Sequence, residues 1–230
     1  MKITILSETT LNPITKIGER AGICQGANIT DPVANYKRGI ECLESNHGRA
    51  FEYVNVELCI ADVSARVIRE WYTHIGGMPT RLQESTRYVN FDKKPFGYVI
   101  PPSIKGNPRA LKVYQTAMAF ILQSMRALKA MGVPNEDATM LLPLGSTTMV
   151  VDKRNLRSHM DMSHTRLCDR AFWEYRDIER EIMRQLSALS EEWAYIIEHY
   201  FMPNCQFFGR CRETRKCKKN KERSNANGNS

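Results

Sequence analysis

The chain has no apolar run approaching the ~20 residues of a membrane span, and its first residues lack the basic-then-apolar pattern of a leader. Both absences point away from membrane and export and predict a cytoplasmic protein. No Gly-x-Gly-x-x-Gly run follows a strand, which excludes a Rossmann cradle, and no internal repeat is visible. Cys-x-x-Cys pairs are missing too. An odd count of seven cysteines argues against a disulfide framework. Cys24, Cys42, Cys59 and Cys168 read as small buried residues. Cys205, Cys211 and Cys217 would need a fourth ligand such as His199 to hold zinc, and their spacing is not that of a zinc ribbon. Unpaired thiols near a frayed end are the expectation, with no metal.

What is present is an ordinary soluble composition, 42% hydrophobic and 25% charged over 230 residues, enough for a sizeable core. The net charge of +8 invites a non-catalytic, nucleic-acid-binding reading. Its location weakens that reading. Residues 212–230 hold seven Lys or Arg and two Glu, so the tail supplies +5 and the body only +3. A polar tail of this kind cannot bury a core and serves solubility or weak polyanion contact. The expected organisation is one domain over residues 1–211 followed by a disordered basic tail over 212–230, with no specific nucleic-acid site.

Periodicity predicts an α+β domain, with a mixed or antiparallel sheet flanked by long helices. Met1 to Leu6 alternates as a first strand, and residues 33–46 as a short helix after Asp31-Pro32. Val54, Val56, Leu58 and Ile60 alternate with polar neighbours, the pattern of a half-buried strand over 51–60. A helix capped by Asp62 should carry Val63, Val67, Ile68, Trp71, Tyr72 and Ile75 up to Gly76-Gly77, with His74 at its end. Tyr98 to Pro102 reads as an extended edge piece. A long helix from about 108 to 131 repeats Leu111, Tyr114, Met118, Ile121, Met125 and Leu128. The final helix, 169–200, repeats Tyr175, Ile178, Ile182, Leu186, Leu189, Trp193 and Ile196.

Behind His74 runs a segment with Thr80, Arg81, Gln83, Glu84, Ser85, Thr86 and Arg87 and almost nothing apolar to bury. Forked guanidinium donors and hydroxyls on a packed helix suit an anion or nucleotide site. Arg157 and Arg166 lie nine residues apart, about half a turn out of phase on one helix, so they cannot easily serve one pocket.

Residues 69–88 resemble the signature of the flavin-dependent thymidylate synthases, with His74 as its histidine, Ser85 as its serine, and Arg87-Tyr88 following. Thr73 and Ile75 stand where the signature has arginines, and His74 to Ser85 is two residues longer than in the family. Residues 155–176 are similar without a gap to a second family block, through Asn155, Arg157, Ser158, Arg166, Ala171, Trp173 and Glu174. Asp161 replaces an Asn and Phe172 a Gln. Leu142-Pro143-Leu144 and His47 to Glu52 resemble two further blocks, all four in family order.

The resemblance implies conversion of dUMP to dTMP, with methylenetetrahydrofolate as carbon donor and NADPH-reduced FAD as hydride carrier. It implies flavin binding through His47, His74, Gln83, Asn155, Arg157 and Asp161. Arg166 would be catalytic, its guanidinium stabilising charge that develops on the uracil edge as C5 becomes nucleophilic. Nucleotide contacts would come from Glu70, Thr73, Arg81, Gln83, Glu84, Ser85, Thr86, Arg87, Thr139 and Arg166, in a homotetramer whose sites are shared between chains. Thr73, Ile75 and Thr139 stand at cationic family positions, and each lost charge-assisted bond weakens a phosphate site by ~1.5–3 kcal/mol. Arg49 and Arg81 are the nearest replacements. An altered pyrimidine chemistry, hydroxymethylation or action on dCMP, is the alternative those losses leave open.

Overall fold

The computed structural model describes residues 1–89, 91, 94–211 and 213–217. β1 (Lys2–Ile5) is followed by α1 (Pro13–Cys24), α2 (Pro32–Glu44), a short α3 (Gly48–Phe51) and the long strand β2 (Asn55–Ser64). Next come α4 (Ala65–Trp71), β3 (Thr80–Gln83), α5 (Pro102–Lys105) and α6 (Pro108–Ala130). α7 (Asn135–Ala138) leads to β4 (Thr147–Asn155), α8 (Leu156–Arg166), α9 (Trp173–Leu189), α10 (Glu191–Tyr200) and α11 (Asn204–Phe207). The strands form an antiparallel sheet in the order β1-β2-β4-β3, which answers the α+β expectation.

These residues gather into two compact units. One comprises Met1–Lys2, Cys59–Thr73 and Arg81–Asp152; the other comprises Ile3–Leu58, His74–Thr80 and the chain from Lys153 onward. In the first, Phe96, Met118 and Met125 form a buried cluster under Tyr98, Tyr114, Ile121, Leu122 and Leu142. The Tyr114 hydroxyl donates to the Val99 carbonyl at 2.9 Å, and Tyr98 bridges Ser146, so the expected edge piece is paired. The buried Trp71 indole donates to the buried Asp152 carboxylate at 2.9 Å, giving that carboxylate one of the partners its burial demands. α6 leaves Val113 and Phe120 exposed.

In the second unit, Ile14, Ile17, Val54, Val56 and Leu58 are fully buried with Ile178, Ile182, Leu186 and Trp193. Gln185 on α9 reaches the backbone of β1, donating to the Ile3 carbonyl at 2.9 Å and accepting from the Ile5 N–H at 3.4 Å. The Trp193 indole donates to the Thr10 carbonyl at 2.7 Å, and Glu192 accepts from the Thr15 N–H at 2.9 Å. Buried polar groups are thereby matched across elements far apart in sequence.

Four elements differ from expectation. Helix α1 was not expected; its Asn12-Pro13 start places Pro at the first helical position, a legitimate helix opening. Ser64, not Asp62, caps α4: its hydroxyl accepts from the Val67 N–H at 3.1 Å, while Asp62 sits at φ +57 within β2. Because α4 ends at Trp71, His74 lies in the turn beyond the helix rather than at its last residue. The final helix is two helices. Ser190 is extended (φ −161, ψ 161), and its hydroxyl accepts from the Trp193 N–H at 3.3 Å to open α10. Most of the expected basic tail, Arg212 and residues 218–230, lies outside the described residues.

Helices α1 and α2 touch through glycine. A Cβ on Gly18 would run into the Asn35 carbonyl, and one on Gly39 into the Ile14 carbonyl. Gly39→Ala must push the two helices apart, an overpacking of ~1–3 kcal/mol. At about 2–4 °C per kcal/mol in a domain of this size, the melting temperature should fall by several degrees. An unchanged calorimetric melt would contradict the packing.

Candidate active site

The second unit places three sequence-predicted residues along one helix. Asn155 ends β4 and caps α8, its Oδ1 accepting from the Ser158 N–H at 2.8 Å. Gly77 lies against it: at φ +71, a Cβ there would stand 2.5 Å from the Asn155 amide nitrogen. Glycine is therefore required twice, for the left-handed backbone and for the close approach. Two residues on from the cap, Arg157 Nη1 pairs with Glu52 Oε1 at 2.8 Å. At the far end of α8, the Arg166 Nε–H donates to His74 Nε2 at 2.8 Å. Its guanidinium carbon lies 4.6 Å from the Tyr175 ring centroid. The His74 ring meets the same tyrosine at 6.0 Å, edge on. Tyr175 is fully buried, so it forms a fixed floor for the guanidinium.

The acceptor role of His74 Nε2 has an electrostatic consequence. A neutral imidazole can accept only at its unprotonated nitrogen, so His74 must carry its proton on Nδ1. Protonation would set two cations against each other across that contact.

Arg157 opens onto a recess of about 430 Å³ lined also by Arg49, Glu52 and Tyr53. Gly48 makes room for it: a Cβ there would lie 3.2 Å from the Arg157 guanidinium. Two guanidiniums facing one carboxylate leave this recess net positive, suited to an anion. His47 caps α3 with no side-chain bond, and Asp161 is exposed on α8.

The remaining predicted residues belong to the first unit. Glu70 is half-buried on α4, and the Thr73 hydroxyl donates to its carbonyl at 2.7 Å. Arg81 turns back on α4, with its guanidinium 4.3 Å from the Tyr72 ring centroid and 3.4 Å from the Trp71 carbonyl. Gln83 donates to the Thr148 hydroxyl at 3.2 Å, and the Glu84 N–H to the Met149 carbonyl at 2.8 Å. Ser85 Oγ accepts from the Arg87 N–H at 3.3 Å, and Arg87 Nε pairs with Glu136 at 2.9 Å. Thr139 is buried and donates to the Glu136 carbonyl at 3.1 Å.

Sequence reasoning missed the residues that hold these in place. The Asn135 amide donates to the carbonyls of Thr86 and Arg87 at 3.0 Å and of Val89 at 3.2 Å, clamping the Ser85–Val89 turn. Glu52 and Tyr175 act across long sequence separations that no local spacing reports. Gly77 does leave a signal, the Gly-Gly pair, but a helix stop accounts for that pair without any contact to Asn155.

The profile of the family described as thymidylate synthase complementing protein matches residues 9–190. Flavin-dependent thymidylate synthase from Geobacter sulfurreducens is 28% identical over 144 residues, covering 63% of this chain and 61% of that protein. The enzyme of the same name from Thermococcus onnurineus is 32% identical over 134 residues, covering 57% of this chain and 54% of that one. The chain thus spans about three fifths of the length of these two relatives. A crystal structure of thymidylate synthase X from Helicobacter pylori with FAD and dUMP shares the fold, with a TM-score of 0.67 and 17% identity, over 87% of this chain and 99% of that one. With a family match over most of its length, the chain belongs to the thymidylate synthase complementing proteins.

Asn155 can be tested in two roles at once. Asn155→Ala should cost ~1 kcal/mol through loss of the α8 cap, whereas Asn155→Asp keeps a capping oxygen and should melt close to the parent. Equal destabilisation by both in thermal melts would show that the amide nitrogen beside Gly77, rather than the cap, sets stability.

Proposed function

We propose that this chain is a flavin-dependent thymidylate synthase, acting as a cytoplasmic homotetramer on dUMP with methylenetetrahydrofolate and NADPH. The observation that carries the reading is the fixed Arg166 guanidinium, held by His74 and laid on Tyr175 in a chain of this family. C5 of a uracil ring becomes nucleophilic only as negative charge develops on the ring's oxygen edge. A guanidinium already oriented by two neighbours meets that charge without reorganising, the general advantage of preorganised electrostatics.

FAD, when bound, supplies the hydride that completes the methyl group. The recess beside Arg157 fits the anionic part of such a cofactor: it offers the Arg49 and Arg157 guanidiniums, and Gly48 keeps side-chain bulk out of their way. Asn155 offers an amide that is held in place against Gly77 at the start of α8. Ser85 and Arg87, in the turn clamped by Asn135, are the groups best suited to a nucleotide phosphate. In that role Arg87 would exchange the exposed Glu136 carboxylate for phosphate at little cost, because a solvated ion pair is worth under about 1 kcal/mol.

Two observations support shared sites. Arg157 and Arg166 lie on one unbroken helix yet meet different partners, Glu52 and His74. Val113, Phe120 and Met140 expose 71%, 68% and 83% of their surface, apolar area suited to contact between chains.

A second reading, altered pyrimidine chemistry, is favoured by the cation count. Thr73, Ile75 and Thr139 bring no charge, and Arg81 is drawn back onto α4. Tritium release from C5-labelled dUMP and dCMP separates the two: release from dCMP alone would select the second reading. In the same assay, Arg166→Lys keeps the charge but loses the planar fork, and methyl transfer should fall on the order of 100-fold. Oxidation of NADPH and flavin retention should change far less. Unaltered methyl transfer would remove Arg166 from the chemistry.

A further inference from the structure

Four of the seven cysteines, Cys168, Cys205, Cys211 and Cys217, line a single cavity of about 350 Å³ in the second unit. Cysteine makes up about 3% of the chain but a quarter of that wall. The thiols come from two separate stretches. Cys168 follows the end of α8, Cys205 lies in α11, and Cys211 and Cys217 lie in the segment after it.

Specific contacts hold the two stretches together. His164 on α8 donates through Nε2 to the Tyr200 carbonyl at 2.9 Å, and its ring lies 4.3 Å from that of Phe207. Arg170 Nη1 pairs with Glu213 and donates to the Arg215 carbonyl, both at 2.8 Å. Cys168 precedes Arg170 by two residues and Cys217 follows Arg215 by two. Cys168 and Cys217 flank this strap, and both line the cavity.

Among the described residues, no three His, Cys, Asp or Glu side chains are placed as ligands of one ion. His199, the fourth ligand a zinc reading would need, stacks on Tyr195 at 4.2 Å and is not part of this cavity. What the wall does offer is a thiol with a base in the same cavity. His164 lies in the last turn of α8 and Cys168 two residues beyond its end, both on the wall of this cavity. Burial pushes its pKa below the ordinary imidazole value, against the opposing pull of the Tyr200 carbonyl and Asp161, which keeps the ring neutral. With Nε2 donating to Tyr200, Nδ1 is the unprotonated ring nitrogen and so the basic atom that His164 brings to the cavity.

We propose that this cavity is a peroxide-sensitive thiol site, in which Cys168 and Cys217 form a reversible disulfide. The Cys168 sulfur attacks one peroxide oxygen; an S–O bond forms, the O–O bond breaks, and a sulfenic acid and water result. The Cys217 sulfur then attacks the sulfenic sulfur; the S–S bond forms, the S–O bond breaks, and a second water leaves. Two thiols lose two electrons and one peroxide becomes two waters. A dithiol reductant reverses the link by exchange.

The test uses the full chain, reduced, treated with hydrogen peroxide, alkylated and digested without reductant. Mass spectrometry should find a Cys168–Cys217 linked peptide, lighter by about 2 Da than the two thiol peptides and abolished by dithiothreitol. Buried Cys42 should remain an unlinked thiol, and Cys205→Ser should leave the link intact. Links found only between chains, or from Cys168 to Cys205 or Cys211, overturn the pairing. So does full alkylation of Cys168 and Cys217 after peroxide. A separate arm dialyses the reduced chain against zinc alone: one retained ion per chain that blocks alkylation of these thiols would replace the disulfide site with a metal site.

Discussion

Helix α8 is the element on which the rest of the candidate site depends, and its position is set at the point where β4 becomes helix. Asn155 makes that transition, capping the first turn while its amide lies against Gly77. From this fixed start, helical geometry decides where the arginines go. Nine residues at 100° each turn Arg166 about half a revolution away from Arg157. One faces Glu52 and the Arg49 recess; the other faces His74 and Tyr175. A single short helix thereby serves two environments, one suited to an anionic cofactor and one to a developing negative charge.

Two buried polar groups on β4 also have fixed partners. β4 points Asp152 and Arg154 into the interior, where the Trp71 indole donates to the first and the second reaches the Met162 sulfur at 3.0 Å. His159 on α8 and Glu179 on α9 are both fully buried, 3.4 Å apart. No hydrogen bond joins them: both His159 ring nitrogens and both Glu179 carboxylate oxygens are buried without a hydrogen-bond partner among the described residues, so α8 and α9 meet here by proximity alone. The first unit shows the contrasting regime. Arg87 and Glu136 are more than half exposed, and water screens their attraction, so the turn carrying Ser85 is fixed by the Asn135 amide rather than by charge.

How much of this was legible in the sequence depended on whether the signal was local. The alternation of Val54, Val56, Leu58 and Ile60 matches their complete burial, and the period of residues 108–131 matches α6 within one residue. The ungapped block from Asn155 to Glu174 singles out Asn155 and both arginines, but not that Asn155 caps α8. Less legible were features decided by one backbone angle. Ser190 splits the expected last helix because its hydroxyl caps α10, although the apolar period runs through unbroken. Asp62 and Ser64 are both good caps by type, and only the extended backbone at Ser64 chose between them. Asn135 is silent in the sequence, and the family block that ends at Glu52 and the helical period that includes Tyr175 give no sign of their partners Arg157 and Arg166, which lie far away along the chain. The antiparallel strand order is likewise a matter of long-range pairing, which a sequence leaves open.

The site turns on one contact, the lone pair that His74 presents at Nε2 to the Arg166 Nε–H. Nitrogen-resolved NMR of the imidazoles tests it directly, with five histidines to assign. At neutral pH, His74 should appear as the Nδ1–H tautomer, with Nε2 unprotonated and its shift moving when Arg166 is replaced. An Nε2–H tautomer, or an imidazolium insensitive to Arg166, would contradict the account.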